Sequence, residues 1–164
     1  MIEEARRRVI LAHHAEALGP KEDPMQPLSP IGRAWADEAA LRAAALGAKP
    51  SAIWHSGKLR ARQTAEAFWR ACNPLASFGA ERGLQPADPP HWIADRLLAE
   101  DSEVLVAGHM PHLASLLRLL LANDAHVPGV EFPAHAVVAL ESRGGRWLEL
   151  WRVVPPTTRS DFTR

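Results

Sequence analysis

Three groups of polar residues follow short apolar runs of the sequence. His13 and His14 close the first run, and His109 follows the run at 104–107. The third group combines a hydroxyl with two cationic side chains: Ser56, Lys58 and Arg60. An imidazole can attack phosphorus, while cationic and hydroxyl neighbours hold the phosphoryl oxygens. These residue types predict transfer of a phosphoryl group to a histidine.

The segments between these groups alternate between strand and helix patterns. Apolar runs predict buried strands that end near His13, His55 and Ala107. Alanine- and leucine-rich segments with helical spacing predict helices at 30–46, 59–72, 90–99 and 111–122. Since the carboxyl ends of parallel strands share one edge, where α/β folds bind ligands, the polar groups are expected to converge there. The sequence therefore predicts an α/β fold, a three-layer α/β/α sandwich with a mainly parallel central sheet.

Other segments carry turn signals. Residues 18–28 contain Gly19 and three prolines and predict a loop, and Ser29 with Pro30 suits a helix start. Residues 73–90 are rich in Gly and Pro and receive no assignment. Residues 136–141 and 146–153 are β-rich and flank a turn containing Gly144 and Gly145, which predicts a hairpin and an antiparallel element.

Composition restricts the classes of function. The length of 164 residues predicts one domain, placed at 1–154, with a flexible tail at 155–164. A formal net charge of zero argues against nucleic acid or an anionic membrane as partner. No apolar run reaches the roughly 20 residues of a membrane span. The single cysteine excludes an internal disulfide, and we expect a cytoplasmic protein of open oligomeric state.

Taken together, the motifs resemble those of the histidine phosphatase (phosphoglycerate-mutase-like) superfamily, and most closely its small SixA-type phosphohistidine phosphatases. The matching segments occur in the family's order: 11–17, Pro27 to Ser29 with Gly32 and Arg33, Ser56 with 59–65, and 104–109 with Pro111. The resemblance implies a phosphoglycerate-mutase-like fold and a phosphatase that needs no cofactor and no metal. It implies protein phosphohistidine as substrate, carried for instance on a phosphotransfer domain.

Four site residues are implied by position in these motifs. His14 matches the nucleophile that becomes phosphorylated, and His109 matches the second histidine, which donates to the phosphoryl oxygens. Arg60 matches the second phosphate-binding arginine, and Ser56 stands where a hydroxyl lines the pocket.

His13 departs from the family pattern, which has arginine at this position. A guanidinium gives permanent charge and bidentate geometry, whereas an imidazole gives one donor and is charged only below a pKa of roughly 6.5. His13 is therefore either a working phosphate donor or a substituted side chain without function. Loss of the arginine predicts either a phosphatase of reduced activity or a module that binds phosphate or a phosphoprotein with little turnover.

A general acid is hard to identify in the sequence. Asp88 is the only carboxylate nominated for this role, with a turn residue before Pro89 as the alternative. A phosphohistidine substrate has less need of an acid, because its leaving imidazole can already be protonated. A small-molecule phosphomonoesterase remains a second alternative function.

The remaining histidines are expected at the surface or in packing: His55, His91, His112, His126 and His135. For His135, a position at the rim of the pocket is the alternative. His13 with His14, or His109 with His112, could supply imidazole ligands to a metal. Adjacent residues of an extended segment point to opposite sides, however, so no metal site is predicted.

Overall fold

The computed structural model describes residues 6–122 and 130–156. These ranges contain six strands and four helices, in this order: β1 (Arg7–His13), α1 (Pro30–Ala45), β2 (Ala52–His55), α2 (Leu59–Cys72), β3 (Ser77–Ala80), α3 (His91–Ala99), β4 (Val104–Gly108), α4 (His112–Ala122), β5 (Val137–Arg143) and β6 (Arg146–Val153). None of the described helices combines the length and the apolar character that a bilayer span requires. Residues 157–164, most of the predicted tail, lie outside the described residues, as does His126.

All six strands form one sheet in the order β3-β2-β4-β1-β5-β6. The four strands from β3 to β1 are parallel, whereas β5 runs antiparallel to β1 and β6 antiparallel to β5. The carboxyl ends of β1, β2 and β4 therefore share one edge with the amino end of β5. This arrangement confirms the predicted α/β class, the mainly parallel sheet and the hairpin near the end.

Helices cover both faces of the sheet because the central strands are apolar on both sides. Ile10 and Ala12 of β1 pack in the layer that contains α1 and α2, while Val9 and Leu11 pack in the layer that contains α3 and α4. Side chains alternate between the two faces of a strand, so a strand buried twice reads as a continuous apolar run. Each fully buried aliphatic side chain contributes about 1.5–3 kcal/mol.

The strand β3 lies in the segment that the sequence left unassigned. It has four residues, pairs only with β2 and buries none of its side chains fully. An edge strand of this kind needs no apolar alternation, and short edge strands resist pairing with other chains. The sequence pattern that identified the central strands is therefore missing from β3.

The start of α1 is fixed to the segment that follows β1. The Ser29 hydroxyl caps the helix by accepting from the Gly32 backbone N–H at 3.0 Å, and the Ser29 N–H donates to the Glu16 carbonyl at 2.9 Å. A Cβ at position 32 would lie 1.9 Å from that carbonyl oxygen. Only glycine allows the helix to approach so closely the residues just beyond His14.

Replacing Gly32 by alanine tests this close approach. Alanine is the better helix former by about 1 kcal/mol, yet the overlap with the Glu16 carbonyl should destabilise the protein by about 1–3 kcal/mol. Urea unfolding followed by circular dichroism measures the difference. Gly79→Ala is the matched control, since nothing lies within 4 Å of its added Cβ, and it should stay within about 0.5 kcal/mol of the original protein. Equal stability of the two variants would contradict the packing described.

Candidate active site

The predicted polar groups meet at the sheet edge where β1, β2 and β4 end. The ring centroid of His14 lies 4.5 Å from that of His13 and 5.1 Å from that of His109. The Ser56 hydroxyl lies 2.6 Å from His109 Nε2. Arg60, in the first turn of α2, lowers the pKa of all three rings through its charge. Imidazoles, hydroxyl and guanidinium thus form one cluster.

One ring nitrogen of His14 is committed to the backbone. Its Nδ1 lies 2.7 Å from the carbonyl oxygen of Ala15, and because a carbonyl only accepts, Nδ1 carries the proton. The neutral ring therefore has its lone pair on Nε2. The backbone N–H of His14 donates to the Gly108 carbonyl at 3.0 Å, so the position after β1 is fixed against β4. Nε2 is the nitrogen of His14 that can attack an electrophile.

Thr64 connects the nucleophile segment with the arginine. Its buried hydroxyl accepts from the Ala15 N–H at 3.0 Å and donates to the Arg60 carbonyl at 2.8 Å. A threonine in a helix readily bonds to the carbonyl four residues earlier, and here that bond leaves a lone pair for a second partner. Thr64 lies in the motif segment 59–65, but its role does not follow from the sequence. It is a positioning residue for His14 and Arg60.

The second histidine is buried with its hydroxyl partner. His109 and Ser56 are 2% and 7% exposed. The Ser56 hydroxyl also accepts from the Lys58 backbone N–H at 3.3 Å, and the Ser56 carbonyl accepts from the Gln85 side-chain amide at 2.8 Å. Lys58 is the N-cap residue of α2 and forms no side-chain capping bond. The turn between β2 and α2 is therefore held from both sides, with the amino end of a helix beside the rings.

Burial keeps the central rings neutral. It is the largest effect on His14, whose pKa falls to about 4, and Arg60 and His135 lower it further while the bond to Ala15 opposes them. Burial also lowers the pKa of His109 to about 3, with further lowering by neighbouring charges that include His14 and Arg60. At neutral pH the attacking nitrogen therefore keeps its lone pair, and the positive charge at the site comes from the arginine and the nearby lysine.

His135 belongs to the cluster, which favours the pocket position left open for it over the grouping with surface or packing histidines. Its ring stacks on that of His13 at 4.8 Å between centroids and 4° between planes. Its backbone N–H donates to His13 Nδ1 at 2.7 Å, and its own Nδ1 donates to the His14 carbonyl at 2.6 Å. The antiparallel pairing of β5 with β1 brings residues just before β5 to the end of β1, and this pairing is the signal that could have located His135.

The three adjacent histidines do not offer a complete set of metal ligands. One ring nitrogen from each of His13, His14 and His135 lies within 4.8 Å of the others. His14 and His135 use Nδ1–H as donor and leave a lone pair on Nε2. His13 instead spends its Nδ1 lone pair on a backbone N–H, which leaves the proton on Nε2. The three rings thus offer two lone pairs and one N–H. A metal ion needs a lone pair from every ligand, whereas an anion that carries protons can bind to both kinds of group.

Asp88 stands just before Pro89 in the sequence, and its described hydrogen bond lies within its own turn. Its Oδ2 accepts from the Gln85 backbone N–H at 2.9 Å, and its charge acts on His112 at the start of α4. This bond closes the turn that carries Gln85, whose amide holds the backbone of Ser56. The described contacts of Asp88 are those of a turn residue.

Comparisons with known proteins agree with this geometry. No protein-family model matches the chain, and no curated protein matches it in sequence. A structure described as phosphohistidine phosphatase SixA from Agrobacterium tumefaciens superposes with a TM-score of 0.74 at 26% identity, covering 90% of this chain and 97% of that one. A protein histidine phosphatase SixA complexed with tungstate gives 0.77 at 23% identity, covering 90% and 96%.

Phosphatases of other substrates share the fold at greater distance. Mycobacterial glucosyl-3-phosphoglycerate phosphatase superposes with a TM-score of 0.64 at 16% identity, covering 88% of this chain and 97% of that one. The similarity extends over nearly the full length of each neighbour. The chain has the fold of the histidine phosphatase superfamily, and it is structurally similar to the SixA phosphohistidine phosphatases.

Proposed function

We propose that the protein is a phosphatase that removes a phosphoryl group from protein phosphohistidine through a covalent phosphohistidine intermediate on His14. The observation that carries the proposal is the bond from His14 Nδ1–H to the Ala15 carbonyl. It leaves Nε2 with its lone pair inside a cluster that contains Arg60 and His109. Three structural neighbours are named for phosphohistidine or protein histidine, and another is named as a phosphatase of a different substrate.

The first step transfers the phosphoryl group to the enzyme. The lone pair of His14 Nε2 forms the N–P bond while the P–N bond to the substrate imidazole breaks, and the leaving imidazole departs with the proton it carries. Negative charge on the equatorial oxygens is stabilised by Arg60 and by the one proton that the Ser56–His109 pair still has free to donate once the two side chains are hydrogen-bonded to each other. Because the leaving group can be protonated beforehand, this step needs no carboxylic acid. The turn contacts of Asp88 fit such a substrate better than a sugar phosphate.

The second step regenerates the enzyme. Water attacks phosphorus, the bond between phosphorus and His14 Nε2 breaks with its electron pair returning to Nε2, and dihydrogen phosphate leaves with the oxygen and both protons of the water. The bond from Nδ1 to the Ala15 carbonyl is kept through both steps, so the ring returns to the tautomer in which it began. No metal ion is required by this sequence of bond changes.

A second candidate is a module that binds phosphorylated groups with little turnover. It is favoured by the burial of His13, which together with His14, His135, His109 and Arg60 lowers its pKa to about 3 and leaves the position uncharged at neutral pH. Loss of one preorganised donor or charge costs about 10²–10³ in rate. A panel of phosphorylated proteins and metabolites separates turnover from binding and also identifies a phosphomonoesterase.

His14 should carry phosphate during turnover. Mass spectrometry of protein quenched at high pH should find an acid-labile phosphoryl group on the peptide that contains His14. His14→Ala should abolish both the label and turnover, because no other lone pair occupies the attacking position. His91→Ala, an exposed position on α3, is the control and should retain both. Full turnover by His14→Ala would refute the covalent route.

Arg60 and Arg62 form a matched pair, two residues apart on α2. The charge of Arg60 lowers the pKa of His13, His14 and His109, whereas Arg62 is 58% exposed and pairs with Glu66 at 2.9 Å. Arg60→Gln should lower kcat about 10²–10³-fold, since it removes a preorganised charge from the phosphoryl oxygens. Arg62→Gln removes only a surface pair of about 0.3–0.5 kcal/mol and should leave kcat unchanged. Equal effects of the two variants would contradict the assignment.

The neutral state of His14 should persist into mild acid. Because its pKa is about 4, the reaction of His14 with diethyl pyrocarbonate, which requires a neutral imidazole, should change less than about twofold between pH 7.5 and 5.5. A histidine with a pKa of roughly 6.5 in a free peptide loses about tenfold over this range. Peptide mass spectrometry gives the rate at His14. A tenfold loss there would show that burial does not suppress its protonation.

A further inference from the structure

We infer that His135 is a positioning residue that fixes His13 as a neutral imidazole presenting Nε2–H to a phosphoryl oxygen. The inference rests on the proposed function for the identity of the anion. His13 then supplies a hydrogen bond of fixed direction, and the positive charge of the site is left to Arg60 and Lys58. Neither a cofactor nor a metal enters this assignment.

The tautomer follows from a backbone group that can only donate. The His135 N–H lies 2.7 Å from His13 Nδ1, so this nitrogen must hold a lone pair. The single proton of the neutral ring is then on Nε2. The rings of His13 and His135 stack in parallel with their centroids 4.8 Å apart. This stacking restricts rotation of the His13 ring about its bond to Cβ. His13 is 8% exposed, and its ring centroid lies 4.5 Å from that of His14. The remaining N–H of His13 is therefore close to the attacking histidine.

His135 is itself held from three sides. Its φ of 60° is the left-handed conformation that residues other than glycine rarely adopt. The Trp35 indole N–H donates to its carbonyl at 2.8 Å, its N–H bonds His13, and its Nδ1–H bonds the carbonyl of His14. Such a conformation persists only where surrounding bonds determine it, and it is frequent at functional sites. All three hydrogen-bonding groups are used to set the geometry at the end of β1.

The surroundings of His13 disfavour a second proton. The groups that act on its charge are His14 of the same segment, His135 before β5, His109 after β4 and Arg60 of α2, and each of them lowers its pKa. Burial lowers that pKa still more, to about 3. Protonation at Nδ1 would also set two N–H groups against each other across 2.7 Å. The His13 side chain can therefore give an anion a directed hydrogen bond but no positive charge.

Nitrogen NMR on histidine-labelled protein at pH 7, without phosphate, measures the tautomers directly. His13 should show a protonated Nε2 and an unprotonated Nδ1, whereas His14 and His135 should show the opposite pattern. Addition of inorganic phosphate should shift the Nε2–H proton of His13 downfield. A His13 that carries Nδ1–H, or both protons, overturns the inference. So does a His13 proton that fails to respond while phosphate binds.

Two substitutions of His13 separate the effect of its hydrogen bond from the effect of its side-chain volume. His13→Gln keeps a neutral N–H donor near the Nε2 position and should bind inorganic phosphate within about threefold of the original protein. His13→Leu removes the donor and should bind about tenfold more weakly or worse. His91→Gln on α3 is the matched control and should not change binding. If the glutamine and leucine variants bind phosphate equally weakly, His13 does not act as a donor.

Trp35→Phe tests the positioning role without touching the cluster. It removes the indole bond to the His135 carbonyl, and the His13 signals should then report a mixture of tautomers and phosphate binding should weaken a few-fold. An unchanged single tautomer would show that His135 is not held in this way. None of these measurements uses turnover, so a protein with the stated tautomers and no phosphatase activity refutes the proposed function alone.

Discussion

The register between the two central strands is the constraint on which the site depends. β1 and β4 pair in parallel so that His13 stands opposite Gly108, and the His14 N–H bonds the Gly108 carbonyl. Both strands are buried on two faces, and a shift of one residue would exchange the faces of every side chain. The apolar core therefore fixes the register, and the register brings His14 and His109 within 5.1 Å of each other.

The same burial decides the chemistry of the imidazoles. Rings at the end of buried strands lose solvation, so their charged forms are disfavoured and a lone pair is kept at neutral pH. A cluster of imidazolium ions would attract phosphate but could not attack it. In the proposed mechanism burial thus separates two tasks, with the rings supplying the nucleophile and directed N–H groups, and Arg60 at the start of α2 supplying the charge. Thr64 couples the two by bonding both segments.

The sequence predicted those parts of the fold whose signals are local. Apolar runs gave the central strands, and Ser29 with Pro30 gave the start of α1, which the structure confirms. β3 was missed because a half-exposed edge strand has no apolar pattern. For His135 the sequence left a surface or packing role and the pocket rim both open, because its position depends on the pairing of β5 with β1, which joins segments more than 100 residues apart. Ring tautomers have no sequence signal at all, since they depend on hydrogen-bond partners.

The replacement at position 13 and the proposed substrate can be understood together. An arginine would add permanent charge to the phosphoryl oxygens, whereas the His13 side chain adds one directed N–H. Cleavage of a phosphate ester develops charge on a poor leaving oxygen and needs both a strong electrostatic clamp and an acid. Cleavage of a phosphoramidate releases an imidazole that already carries its proton, so less charge has to be stabilised. A site with neutral His13, and with Asp88 committed to a turn, matches the less demanding reaction.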